Sequence, residues 1–197
     1  MFVLDEQQPL HTRPSCRRIS RSRRNDLEHI VPDNPFTDPI TTTIVAFLQS
    51  IGLTVRATIL TEPTFLPGIR LDAGTLLVDP AQLRFPGDLL HEAGHLAVAA
   101  PERRQHIHGD AGSDAAEEMM AIGWSYAALR HLQLAPDVVF HAEGYRGGAA
   151  SLIDNFAHRR YLGVPMLQWV GMTFDEEQAR QAGASPYPHM RCWLRPG

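Results

Sequence analysis

The sequence predicts an α+β domain in which a small sheet packs against two longer helices. A first helix is predicted from Thr41 or Thr42 to Ser50, because its apolar residues repeat at helical spacing and Gly52 follows as a typical end residue. Short runs rich in β-branched and apolar residues then predict strands at 54–60, 69–71 and 75–78. Longer stretches of helical composition follow at 88–100 and 112–130. Helices and strands of these lengths fit one domain with a single core.

The connections between these elements are also indicated by composition. Asp72-Ala73-Gly74 is a turn sequence, so the strands at 69–71 and 75–78 are predicted to form a hairpin. Farther along, 149–161 has helical spacing, and Asp175 opens another short helix. The apolar segment 164–172 fits either a strand or a helix over the core.

Composition indicates an ordinary globular protein with an unusual N-terminus. The 197 residues are 44% apolar with a net charge of −4, which predicts one domain over 39–197. Nothing approaches 18 consecutive apolar residues and no apolar leader is present, so we expect no membrane association and a cytoplasmic location. Cys16 and Cys192 stand at opposite ends, in no metal-like spacing.

Residues 1–38 are predicted to form a basic, proline-rich arm. Six of the 18 basic residues, all of which are arginine, fall between Arg13 and Arg24. Such an arm can bind nucleic acid or an acidic partner, or it can be a solvated terminus. The negative net charge and the absence of aromatic residues among the arginines favour the solvated terminus.

The most informative segment is His91-Glu92-Ala93-Gly94-His95. On a helix, positions i and i+4 lie roughly 40° apart on one face, so His91 and His95 can ligate one ion. Glu92 lies about 100° round from His91 and can reach a water on that ion as a general base. Asp88 is predicted as the N-cap of this helix, and Gly94 is expected where another element passes close.

A catalytic metal needs a third protein ligand, and the next helix offers it. Asp114 is a predicted N-cap, and Asp114 with Glu117 forms a variant of the capping box, which would leave Glu118 to face the ion. Glu117 remains an alternative. Further alternatives in the intervening loop are His106, His108 and Asp110.

The order of these elements resembles the zincin metallopeptidases, and in particular the ImmA/IrrE-like family, over about residues 41–134. Arg84-Phe85 stands where that family has its arm before the His-Glu-x-x-His helix. Ala, an aromatic residue and a small residue follow the family's ligand Glu at +3, +6 and +7. Counting from Glu118 gives Ala121, Trp124 and Ser125, whereas counting from Glu117 breaks the pattern. The chain departs from the family at Ile122, where Asn is frequent, and at Ala93, where Leu or Met is frequent.

The resemblance implies a zincin-like fold and a zinc-dependent metallopeptidase that cleaves a peptide or protein substrate. Zn²⁺ would be held by His91, His95 and Glu118, with Glu92 as the base. The strand at 75–78 is then expected at a sheet edge, where an extended substrate can pair with it.

The resemblance also implies a hydrogen-bond donor to the reaction's oxyanion. Tyr145 and His141 rank first for this role, ahead of Arg146, His106 and His108. The first alternative function is a catalytically weak, metal-binding regulatory or interaction module. The second is a nucleic-acid-associated regulator that uses the N-terminal arginines, alone or alongside the peptidase. Assembly into a homo-oligomer is left open by the sequence.

Overall fold

Helix α1 (Pro39–Ser50) is the first element of the computed structural model, which describes residues 35–109 and 114–197. The carboxylate of Asp38 caps the helix by accepting a 2.7 Å hydrogen bond from the Thr41 amide, so the helix begins at Pro39, slightly earlier than predicted. The predicted N-terminal arm, apart from residues 35–38, lies outside the described residues, as do Cys16 and Asp110.

The sheet contains β1 (Thr54–Ala57), β2 (Ile69–Asp72) and β3 (Thr75–Val78) in the order β1-β3-β2. Strands β2 and β3 form the predicted antiparallel hairpin, whereas β1 pairs with β3 in parallel. The prediction that 75–78 is a sheet edge is therefore wrong, because β3 has a partner on both sides. Strand β1 is also shorter than predicted.

Strand β2 lies at one edge of the sheet, and part of that edge is already occupied. The Gly109 amide donates a 2.7 Å hydrogen bond to the Leu71 carbonyl, which forms an isolated bridge to β2. Beside it, His108 Nδ1 lies 2.8 Å from Asp72 Oδ1. The loop that follows the His-Glu-x-x-His helix is thereby attached to the sheet.

Helices α2 (Asp88–Val98) and α4 (Ala115–His131) pack against each other in the core, and the short α3 (Pro101–Arg104) lies between them in the sequence. The helices meet at Gly94, where an added Cβ would lie only 2.9 Å from the Ala121 carbonyl oxygen. This close passage of α4 confirms the expectation for Gly94. The buried Ser125 hydroxyl lies 2.6 Å from the Ala121 carbonyl oxygen of its own helix and 3.2 Å from the Leu90 carbonyl oxygen, so a polar contact also joins α4 to α2.

The rest of the chain wraps around these helices. Its elements are α5 (Pro136–Val139), a 3₁₀ turn (Tyr145–Gly147), α6 (Ala149–Ala157), α7 (Val164–Trp169) and α8 (Glu176–Ala182). The C-terminal tail then returns to α4, where Tyr187 donates to the Gly123 carbonyl at 2.8 Å. The fold is thus α+β, as predicted. Within the described ranges, no helix combines the length and hydrophobicity needed to cross a membrane.

Candidate metal centre

Three predicted ligands converge at one point between α2 and α4. His91 Nε2 and His95 Nε2 are 3.3 Å apart. The Glu118 carboxylate lies 3.6 Å from the first nitrogen and 3.2 Å from the second. Within the described ranges, His91, His95 and Glu118 form the one group of at least three histidine, cysteine or acidic residues that could hold a metal ion.

The spacing fits a tetrahedral ion. Two ligands at ~2.0–2.1 Å from a tetrahedral zinc lie ~3.3 Å apart. The two imidazole nitrogens are 3.3 Å apart, which equals that value, and Glu118 places Oε1 3.6 Å from His91 Nε2 and Oε2 3.2 Å from His95 Nε2. Two imidazoles and one carboxylate are also a known donor set of catalytic zinc, which keeps its fourth position open.

The first turn of α4 explains which of two adjacent glutamates reaches the two histidines. Asp114 caps the helix by accepting a 2.8 Å hydrogen bond from the Ala116 amide, as predicted. The predicted capping-box role of Glu117 is wrong, because its carboxylate pairs with the Arg103 guanidinium. A rotation of 100° per residue then directs Glu118 away from Arg103 and toward the histidines.

The histidines of the intervening loop do not join this cluster. His108 is hydrogen-bonded at the sheet edge, and His106 is exposed. Neither lines the cleft in which the triad lies. Within the described residues, the loop therefore supplies no fourth ligand.

Burial shifts the pKa of His91, and a contact within the triad shifts that of Glu118. Desolvation, followed by the proximity of His95, lowers the pKa of His91 to about 4. The His91 imidazole is therefore neutral near pH 7, which is the form that binds metals. The hydrogen bond with His95 is the main reason why the pKa of Glu118 is lowered as well. His91 Nδ1 is buried and has no hydrogen-bond partner among the residues described.

The triad opens into a cleft of about 1200 Å³ that is also lined by Glu92. Apolar side chains from separate segments of the chain also line this cleft. They include Phe65, which is 82% exposed, and Leu162, which is 36% exposed. Exposed aromatic and aliphatic surface inside a cleft is typical of a binding site for an extended or apolar ligand.

Tyr145 presents a buried hydroxyl to this cleft. Its ring meets the His91 ring edge-on, with centroids 5.5 Å apart, and its hydroxyl has no hydrogen-bond partner in the described part of the chain. Burial, followed by the charge of Asp88, raises the tyrosine pKa, so the hydroxyl remains a donor. A buried hydroxyl of this kind requires a partner within the cleft, such as a water or a substrate oxygen.

The backbone that carries Tyr145 is unusual. Tyr145 and Arg146 both have left-handed conformations, with φ of 54° and 52°. Such conformations in residues other than glycine cost on the order of 1 kcal/mol or more each, and they concentrate at functional sites. The surrounding packing, including the ring of Phe140 at 5.2 Å from that of Tyr145, must hold this turn in place.

His141 is placed differently from Tyr145. Its Nε2 lies 2.9 Å from Asp88 Oδ1, within hydrogen-bond distance, and its ring stacks on Phe85 with centroids 3.8 Å apart. Its Nδ1 is buried. In this arrangement neither ring nitrogen of His141 is directly available to a substrate, which makes Tyr145 the better candidate for oxyanion stabilisation.

The Asp88–His141 pair was not found by sequence reasoning. Asp88 is the first residue of α2. The N-cap position is occupied by Gly87, which has no side chain that could cap the helix. The prediction for Asp88 was wrong because its carboxylate turns inward to His141, 53 positions away in sequence. Burial raises the pKa of Asp88, and His141 opposes that effect. No local pattern indicates so distant a pairing.

Compared with known proteins, the chain matches no protein-family model, no curated protein and no solved structure. What the cleft can do chemically therefore has to be inferred from its own residues.

Proposed function

We propose that this protein is a zinc-dependent metallopeptidase of the zincin type, similar to the ImmA/IrrE-like enzymes. The observation that supports the proposal is the convergence of His91, His95 and Glu118, whose ligand atoms lie within 4.8 Å of one another, in a cleft that also contains Glu92. His91, His95 and Glu118 would hold the ion. Bound zinc supplies a Lewis acid that lowers the pKa of a water and polarises a peptide carbonyl.

The protein's own residues would then handle the protons and the developing charge. Glu92 directly follows the first proposed ligand and lines the same cleft, so its carboxylate would accept the proton of the attacking water. Glu92 returns that proton to the leaving amine. The Tyr145 hydroxyl donates to the oxygen on which negative charge develops. His141, held by Asp88, is the second candidate for that role and would have to release Asp88 to perform it.

The cleft favours a peptide as the substrate class. Its open, partly apolar walls at Phe65 and Leu162 can accommodate an extended chain with apolar side chains. Strand β3 lies in the centre of the sheet, so it is not the strand with which such a substrate pairs. Any pairing would use an outer strand, and part of the outer side of β2 is already bonded to Gly109.

The alternative function, a catalytically weak metal-binding regulator, would be favoured by a fourth protein ligand that closes the site. His106 and His108 lie outside the cleft, which favours the enzyme. Nucleic-acid binding through the arm depends on residues outside the described ranges.

The decisive experiment compares two adjacent glutamates. Glu118→Gln is expected to weaken zinc binding at least 100-fold, because it removes a ligand. Glu117→Gln should keep zinc, because Glu117 contacts Arg103 instead. Metal content after dialysis and competition with a chromogenic chelator measure both variants. Equal zinc affinity in the two variants would exclude the proposed ligand set.

Catalysis is tested by Glu92→Gln, which should keep zinc and lose peptide hydrolysis by at least 100-fold. A fluorogenic peptide library with the zinc-loaded protein provides the assay. Undiminished hydrolysis by Glu92→Gln would reject this residue as the base. Absence of any hydrolysis by the zinc-loaded wild type would favour the regulatory alternative.

A further inference from the structure

Two arginines line the cleft, and they differ in how their charges are satisfied. Arg84 Nη2 lies 3.0 and 2.9 Å from the two carboxylate oxygens of Glu143, and its guanidinium lies 5.1 Å from the Phe85 ring centroid. Arg146 is exposed and forms no hydrogen bond or ion pair with any residue in 35–109 or 114–197. The cleft therefore contains one arginine that is neutralised and one that is available.

Arg146 is held close to the candidate metal centre. It directly follows Tyr145, whose ring contacts His91, and both residues have the left-handed backbone that side-chain-bearing residues rarely adopt. Arg146 and Glu118 line the same cleft, and within the described residues they form no ion pair with each other.

We propose that Arg146 binds a carboxylate of the peptide substrate, within about two residues of the bond that is cleaved. The inference rests on the proposed peptidase function and specifies its substrate class. One residue of an extended peptide spans about 3.4 Å. An arginine one position from the ring that contacts a metal ligand can therefore reach groups that lie one or two residues from the scissile bond.

The chemistry of the cleft supports an anionic group at this position. A guanidinium presents parallel N–H donors that match the two oxygens of a carboxylate. Glu118 does not compete for Arg146, because its carboxylate is directed at the histidines. The carboxylate can be the peptide's C-terminus or an Asp or Glu side chain, since both present the same group.

The test uses the full-length, zinc-loaded protein and three matched peptide series. One series compares a free C-terminus with its amide, the second compares Asp or Glu with Asn or Gln near the scissile bond, and the third carries neither acid. Wild type is expected to prefer an acidic member at least tenfold in kcat/KM. Arg146→Gln should abolish that preference, and Arg146→Lys should restore only part of it, because lysine lacks the planar fork.

Arg84→Gln is the matched control. It removes a positive charge from the same cleft, but Glu143 already neutralises that charge. The acid preference should survive in this variant. Calorimetric binding of the same peptides to zinc-loaded Glu92→Gln separates the proposed subsite from the reaction itself. Binding that favours acids through Arg146 supports the subsite even if wild type proves inactive.

Three outcomes would overturn the subsite while leaving the peptidase function intact. They are equal cleavage and binding of acid and amide peptides, an acid preference that persists in Arg146→Gln, and an equal loss of that preference in Arg84→Gln. The series that shows the preference identifies the carboxylate as terminal or as a side chain.

Discussion

The contact between α2 and α4, the two helices that carry the proposed ligands, predicts the effect of adding one methyl group. In Gly94→Ala the new Cβ would lie 2.9 Å from the Ala121 carbonyl oxygen, 3.1 Å from its Cα and 3.2 Å from its Cβ. Ordinary contact begins near 3.4 Å, so α2 and α4 would have to separate by about 0.5 Å, which is 3.4 minus 2.9. The backbone of Ala121 cannot rotate away as a side chain could.

The magnitude follows from two opposing terms. Replacing glycine by alanine inside a helix gains ~1 kcal/mol. Overpacking a tight contact costs ~1–3 kcal/mol. The free energy of unfolding should therefore fall by up to ~2 kcal/mol, which lowers Tm by about 4–8 °C in a chain of this size.

The effect on metal binding should exceed the effect on stability. Glu118 is carried by α4 and the histidines by α2, so a separation of about 0.5 Å shifts the ligands by more than the ~0.2 Å that a zinc site tolerates. We expect zinc affinity to fall at least tenfold. Thermal denaturation of the metal-free protein and chelator competition measure the two effects.

Gly123→Ala is the matched control for this prediction. Its Cβ would also lie 2.9 Å from a backbone oxygen, that of Leu162, but that oxygen does not belong to α2. The variant should lose stability to a similar extent and keep its zinc affinity. The reasoning is refuted if Gly94→Ala binds zinc as wild type does, or if Gly123→Ala loses as much affinity as Gly94→Ala.

Two further predictions concern Tyr145 and His91. Tyr145→Phe should lower kcat ~100-fold with metal content unchanged, because it removes the proposed oxyanion donor, and unchanged kcat would exclude that role. It should not lower Tm, because the hydroxyl that is lost has no partner within the described residues. The pKa of His91 falls from 6.5 to about 4 on folding, so the unfolded state binds more protons between those pH values. The metal-free protein should thus lose at most ~3 kcal/mol of stability as pH falls through that window, and His91→Gln should flatten the profile measured by thermal denaturation.

The parts of the fold that were predictable depend on short-range patterns. The hairpin follows from Asp72-Ala73-Gly74, and the placement of His91 next to His95 follows from the spacing of one helical turn. Glu118 was selected over Glu117 by the family pattern and by a capping argument. The structure shows that Arg103 holds Glu117 away instead, so the capping argument gave the wrong reason.

The parts that were not predictable depend on long-range contacts. The central position of β3 requires the parallel pairing of Thr54 with Thr75, and no local alternation reports such a partner. The inward turn of Asp88 likewise depends on His141. An aspartate at the start of a helix can cap the helix or bind a distant imidazole, and the local sequence does not distinguish these two roles.

The buried hydroxyl of Ser125 has a consequence for how a metal would enter. Its oxygen lies 2.6 Å from the Ala121 carbonyl oxygen of α4 and 3.2 Å from the Leu90 carbonyl oxygen of α2, so it contacts both helices beside His91 and two turns from Glu118, in the buried interior. The imidazoles and the carboxylate are therefore aligned by the folding of the polypeptide itself. An arriving ion would exchange its hydration shell for ligands that are already in place, and it could leave again without the protein unfolding.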